Sequence, residues 1–239
     1  MLSGRYFVLG AGTDIGKTYV TALLVRQARA AGQDVLALKP VASGVPSPGD
    51  PAFASTDTAQ LLQAQGLPAT SENIEACSPW RFREPLSPDM AAAAEGRILA
   101  LEALLAWCDD QVAAAPGKLT LIEGVGGVMS PMTSDALNLD VVKALGWPAI
   151  LVTGSYLGAL SHALTAIETL KAHGVEIAAV VLNESADSTV DFDAMMASLS
   201  RFAPCSITRL ERTAQRLDID LAQRQTPRRG DPLQTRRKR

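Results

Sequence analysis

The chain has 239 residues, 47% of them hydrophobic and 20% charged, with a formal net charge of −3; this balance excludes an intrinsically disordered chain, and the length allows a sizeable core without disulfides or a structural metal. Three widely spaced cysteines, Cys77, Cys108 and Cys205, and only two histidines, His162 and His173, argue against a disulfide framework and against a His-rich metal site. Residues 226–239 hold six Lys or Arg against one acid, which leaves residues 1–225 at −8, and an acidic body is unlike a nucleic-acid-binding domain.

The first apolar run, residues 6–9, reads as a buried strand and leads directly into the glycine-rich stretch Gly10-Ala11-Gly12-Thr13-Asp14-Ile15-Gly16-Lys17-Thr18. A helix follows over residues 19–31 and ends at Gly32. Strand, glycine loop and helix N-terminus in this order make an anion cradle. Glycines let backbone amides converge, the helix end is positive, Lys17 faces the β and γ phosphates, and the Thr18 hydroxyl suits magnesium. Five residues separate Gly10 from Gly16 and three separate Gly12 from it, so the spacing departs from the generic phosphate loop, which has four. The bland alternative is a structural glycine turn that caps the helix.

A second strand over residues 34–39 ends in Leu38-Lys39-Pro40-Val41-Ala42-Ser43-Gly44, and a helix capped by Ser55 or Thr56 runs through Asp57 to Gln65. Residues 78–95, with Pro79, Pro85 and Pro88, read as an irregular loop, and a helix over 98–115 stops at Pro116 and Gly117. The third strand, 119–123, ends at Glu123 and meets Gly124-Val125-Gly126-Gly127. A fourth strand over 149–153, a helix over 157–173 and a fifth strand over 177–183 complete the pattern. Such alternation implies an α/β fold, a doubly wound, mainly parallel sheet of the P-loop NTPase type with helices on both faces. The C-terminal ends of parallel strands share one crevice, so Lys39, Ser43, Asp57 and Glu123 are expected beside the phosphate loop, with Thr18, Asp57 and Glu123 as magnesium ligands. Taken singly, Lys39 is an ordinary strand end and each acid a surface or helix N-terminal charge. His162, Trp147 and Cys205 read as packing residues.

The lengthened loop ending Thr13-Asp14-Ile15-Gly16-Lys17-Thr18, the stretch Lys39-Pro40-Val41-Ala42-Ser43-Gly44, Asp57, and Glu123-Gly124-Val125-Gly126-Gly127 together resemble the ATP-dependent dethiobiotin synthetases over residues 5–184. The resemblance implies a ligase of biotin biosynthesis that turns 7,8-diaminononanoate, CO2 and ATP into dethiobiotin, ADP and phosphate. It implies Lys17 and Lys39 as catalytic residues, ATP held by Gly12, Thr13, Asp14, Ile15, Gly16, Lys17 and Thr18, and Asn183 at the adenine. Substrate would lie against Thr13, Lys39 and Ser43, with its carboxylate at the helix start Leu157-Gly158-Ala159-Leu160 across a homodimer interface. ATP and Mg2+ are the implied cofactors. The chain departs from the family at Ala11 and Gly12, where polar residues are usual, and at residues 206–210, where a Gly-x-Ile-Pro turn is usual beside the base.

A rival reading is a switch ATPase of the MinD and ParA type, acting through protein or membrane partners. Those proteins carry a second lysine early in the loop, where this chain has Ala11, and often an amphipathic C-terminal helix. The absence of an N-terminal cationic-then-apolar leader or a bilayer-length apolar run leads to an expectation of cytoplasmic location, with no membrane partner. One domain is expected over 1–225, followed by a basic, disordered tail over 226–239.

Overall fold

A computed structural model describes residues 4–186, 188–219 and 221. In chain order the elements are β1 (Arg5–Gly10), α1 (Lys17–Ala30), β2 (Val35–Leu38), β3 (Val41–Ala42), α2 (Asp57–Gln65), α3 (Ser71–Cys77), β4 (Trp80–Arg81) and α4 (Pro88–Ala94). Then come α5 (Leu101–Ala114), β5 (Leu119–Gly127), α6 (Asn138–Leu145), β6 (Ala149–Thr153), α7 (Ala159–Ala172), β7 (Ile177–Asn183), α8 (Phe192–Phe202) and β8 (Ile207–Leu210).

Strands β2-β5-β1-β6-β7-β8 form one sheet in that order, and every neighbouring pair is parallel. Parallel strands need crossovers, and the crossovers cover both faces. The pleat sorts alternate side chains accordingly. Tyr6, Val8, Leu121, Ile150 and Val181 join α1, α2 and α3 in one cluster, whereas Phe7, Leu9, Ile122, Leu151 and Val180 join α4, α5, α6 and α7 in the other. Helix α1 sends Val20, Leu23 and Leu24 into the first cluster, and each such aliphatic side chain contributes about 1.5–3 kcal/mol by leaving water. After β1 the chain turns to β2 on one side of it, and it returns through β6 on the other, so a crevice opens at the C-terminal end of β1.

The five expected strands form, and the sheet gains an edge strand, β8, whose Ile-Thr-Arg-Leu sequence is too short and too mixed to announce itself. Helices α3, α6 and α8 are further additions to the sequence reading. The expected loop over 78–95 holds β4, which pairs with β3, and α4, which starts at Pro88, a residue preset for a first helical turn. Helix α5 begins at Leu101 rather than residue 98, and Ile98 stays 91% exposed. Helix α7 begins at Ala159, not 157. His162 is not a packing residue: it is exposed at the edge of the apolar stripe of α7, and its Nδ1 lies 2.8 Å from the Tyr156 hydroxyl. Trp147 is buried as expected, and Cys205 is half-buried. The tail over 226–239 lies outside the described residues.

Candidate active site

The loop after β1 is shaped by close backbone approach. A side chain at Gly10 would come within 2.6 Å of the Gly12 carbonyl and 2.9 Å of the Gly126 carbonyl, so only glycine fits. Gly16 caps α1 in the left-handed region at φ 89, and the Asn183 amide occupies the space where a Cβ would stand. Asn183 Nδ2 donates to the Ile15 carbonyl at 3.0 Å, which ties the end of β7 to the loop. Asp14 takes φ 56, the one positive value at a non-glycine among the described residues.

Lys17 opens α1 and folds back, its Nζ donating to the Gly12 carbonyl at 3.1 Å. Burial pushes its pKa down to about 8, with the nearby Lys39 charge acting in the same direction. Anionic phosphates in the loop would restore the charge. Lys39, 2% exposed at the end of β2, spends all three ammonium protons: on Asp57 Oδ2 at 2.9 Å, Glu123 Oε1 at 2.8 Å and the Gly124 carbonyl at 2.9 Å. Burial would lower its pKa, but the Glu123 and Asp57 carboxylates overcome this and raise it above the ordinary lysine value. Burial works the other way on Asp57, yet Lys39 and the Thr18 hydroxyl hold its carboxyl below the usual range.

The Thr18 hydroxyl stands 2.7 Å from both Asp57 Oδ1 and Glu123 Oε1. One hydroxyl proton cannot serve two carboxylate oxygens, and Glu123 Oε2 is buried with no partner at all. This oxygen-rich, under-protonated corner fits a hard divalent cation that keeps waters and phosphate oxygens as its remaining ligands. Among the described residues no group of three or more His, Cys, Asp or Glu could form an all-protein cage.

Thr13, Asp14, Gly16, Lys17 and Thr18 line a cleft of about 390 Å³ together with Lys39, Ser43 and Asp57. Glu123 lies under its floor. Gly12 takes part through its carbonyl, and Ile15 is buried beneath the loop. Leu157, Gly158, Ala159 and Leu160 are not part of this lining; they sit at the start of α7, where Leu157 is 84% exposed. Tyr19, Gln60, Val125 and Gly126 also line the cleft. Gln60 lies one helical turn after Asp57 and Tyr19 follows the loop, so helix periodicity was an available signal for both.

A family model described as an AAA domain matches residues 4–214. Curated relatives named ATP-dependent dethiobiotin synthetase BioD come from Methylobacterium nodulans, 58% identical over 82% of this chain and 88% of that one, and from Phenylobacterium zucineum, 50% identical over 77% of each. A third, from Caulobacter vibrioides, is 47% identical over 82% of this chain and 86% of its own. Among solved structures, a ParA family ATPase from Chlorobium tepidum superimposes with a TM-score of 0.51 at 15% identity, covering 87% of this chain and 85% of that one. The MinC:MinD cell division complex of Aquifex aeolicus gives a TM-score of 0.53 at 12% identity, over 87% and 81%. These two likenesses concern the fold alone.

Proposed function

This chain belongs to the ATP-dependent dethiobiotin synthetases, ligases of biotin biosynthesis, and on that premise we propose that its cleft joins 7,8-diaminononanoate and CO2 into the cyclic urea of dethiobiotin at the expense of ATP. One amine and CO2 form a carbamate with loss of a proton. A carbamate oxygen attacks the γ-phosphorus and ADP leaves; the second amine then attacks the carbonyl carbon, phosphate departs and the ring closes. Phosphoryl transfer asks for positioning and charge neutralisation more than covalent help.

The observation that carries the reading is Lys39, a buried ammonium bonded to two carboxylates on the floor of a phosphate-loop cleft. Lys17 neutralises the β and γ phosphates, and the loop amides of residues 12–18 cradle them. Lys39 stabilises the carbamate and the moving phosphoryl group by exchanging its bond to the part-exposed Asp57 for one to them, while Thr13 and Ser43 hold the diamine end through their hydroxyls. Thr18, Asp57 and Glu123 would hold Mg2+, which when bound supplies further positive charge to the phosphates. Asn183, tied to the loop through the Ile15 carbonyl, is assigned to the adenine.

The carboxylate end of the substrate is assigned to the first turn of α7 in a second copy of the chain. That turn has Gly158 as its N-cap and no side chain bonded to its amides, and Leu157 beside it is exposed. The active form is therefore a homodimer with shared sites. No helix among the described residues is long and apolar enough to cross a membrane.

Incubation with Mg-ATP and bicarbonate, with and without the diamine, tests the reading. Phosphate release should depend on the diamine and match dethiobiotin counted by mass spectrometry. ATP hydrolysis indifferent to the diamine would replace this function with that of a switch ATPase.

A further inference from the structure

Asn138 opens α6 on the face of the sheet opposite α1, packed against Gly124, and is fully buried. Its Nδ2 donates both protons to strand β5: one to the Val125 carbonyl and one, at 2.8 Å, to the Gly127 carbonyl. Its Oδ1 accepts nothing and would lie 2.8 Å from a Cβ at Gly124, so that position has no room for a side chain. Ser130 completes the arrangement: its Oγ accepts from the Gly127 N–H at 2.8 Å, and its carbonyl accepts from the Asn138 N–H at 3.0 Å. A buried asparagine spending its amide on two backbone carbonyls is a costly way to cap a helix, and α6 gains no cap from it.

What these bonds hold is the last turn of β5, the stretch between Glu123 and Gly127. Val125 and Gly126 line the cleft, and the Gly124 carbonyl is one of the three partners of Lys39. A peptide unit is planar and trans, and no cis bond occurs among the described residues, so its C=O and N–H point in opposite directions. With the Val125 carbonyl drawn to Asn138 behind the sheet, the Gly126 N–H is turned toward the cleft. Gly126 sits at φ 65 and, lacking a Cβ, could let this peptide rotate. A rotated peptide would aim a carbonyl oxygen at the place where anionic oxygens must sit, replacing attraction by repulsion.

We propose that Asn138 is a positioning residue for phosphoryl transfer: by gripping the Val125 and Gly127 carbonyls from behind the sheet, it locks the Val125–Gly126 peptide with its N–H facing the transferred group. The inference rests on the reading of the cleft as a phosphoryl-transfer site. Asn138 touches no reactant, so its role lies in the orientation of the edge and not in nucleotide affinity.

The test compares wild type with Asn138→Leu, which keeps the bulk and removes both donors, and Asn138→Val, which is smaller and equally without a donor, should the leucine variant fail to fold. Each is assayed for kcat, for Mg-ADP affinity, and for affinity toward Mg-ADP with aluminium fluoride, a mimic of the phosphoryl group in transfer. The expected result in folded variants is a kcat lower by on the order of 10- to 100-fold and a comparable loss of the extra affinity for the fluoride complex. Mg-ADP affinity should stay within about threefold of wild type. A kcat per folded molecule equal to wild type in either variant, or a parallel loss of both affinities, would overturn the proposal. Wild-type protein making no dethiobiotin would instead defeat the functional reading, while the comparison of the two nucleotide complexes still judges Asn138.

Discussion

Lys39 is the residue on which stability and chemistry meet. Removing its ammonium leaves Glu123 charged and fully buried, whereas Asp57, 41% exposed, can turn to water. Lys39→Ala should therefore abolish dethiobiotin formation and cost about 3 kcal/mol of folding stability, nearly all of it from Glu123. Adding Glu123→Gln should recover most of that stability in urea unfolding and none of the turnover; a double variant as unstable as the single one would contradict the pairing. Asp14 gives a second test, because its φ of 56 is uncomfortable for a branched side chain. Asp14→Val should lose about 1–2 kcal/mol and weaken Mg-ATP binding, whereas Asp14→Gly should keep both near wild type. Equal behaviour of the two variants would show that the loop does not hold this conformation. The phosphate loop itself was legible because its signal is local, nine consecutive residues that run from the last residue of a strand into a helix. The meeting of Lys39 with Glu123, 84 positions later, was legible only through the rule that parallel strands share one edge. Asn138 was not legible at all: nothing in its neighbourhood of sequence says that it will face the back of β5.

At the scale of elements, apolar runs of four to seven residues sufficed for β1, β2, β5, β6 and β7, the edge strand β2 included, since a strand covered on both faces cannot hide its character. β8 and α8 escaped for the same reason in reverse: β8 is partly polar, and α8 rests on few buried side chains, Phe192, Met195 and Leu199. The segment after β8 is tied to α1 by Gln27, whose amide donates to the Leu217 carbonyl at 3.0 Å and accepts from the Leu217 N–H at 2.7 Å. Gln27→Ala should leave the Leu217 N–H without a partner at a buried residue, the carbonyl keeping the Ile219 N–H at 3.1 Å, and so cost about 1–3 kcal/mol and speed hydrogen exchange at Leu217. Unchanged exchange there would mean that apolar packing alone holds the segment. Burial also pushes the thiols of Cys77, under β2, and Cys108, in α5, up to about 12. In the unfolded chain both would ionise near pH 8.5, so the unfolded state gains as pH rises above that value and stability should fall between pH 9 and 11. At pH 8 a thiol reagent should leave both unlabelled in the native protein and label all three cysteines in denaturant; native labelling at Cys77, read by peptide mass spectrometry, would contradict the packing of α3 on β2.

The whole molecule places a charge-neutralising floor at the end of one parallel sheet, and its completion is expected to need a second copy. Leu157→Arg should give a monomer by light scattering and lose diamine affinity while Mg-ATP still binds; a dimeric, fully active variant would remove α7 from the shared site. The fold is common to ParA and MinD proteins, so the fold cannot separate ligase from switch. What separates them is the atom that attacks the γ-phosphorus, a carbamate oxygen in one case and water in the other. The decisive measurement is a brief turnover with Mg-ATP, the diamine and oxygen-18 bicarbonate, quenched before CO2 exchanges with water. The account predicts one heavy oxygen in the released phosphate and another in the ureido carbonyl of dethiobiotin. Phosphate carrying no heavy oxygen would contradict it.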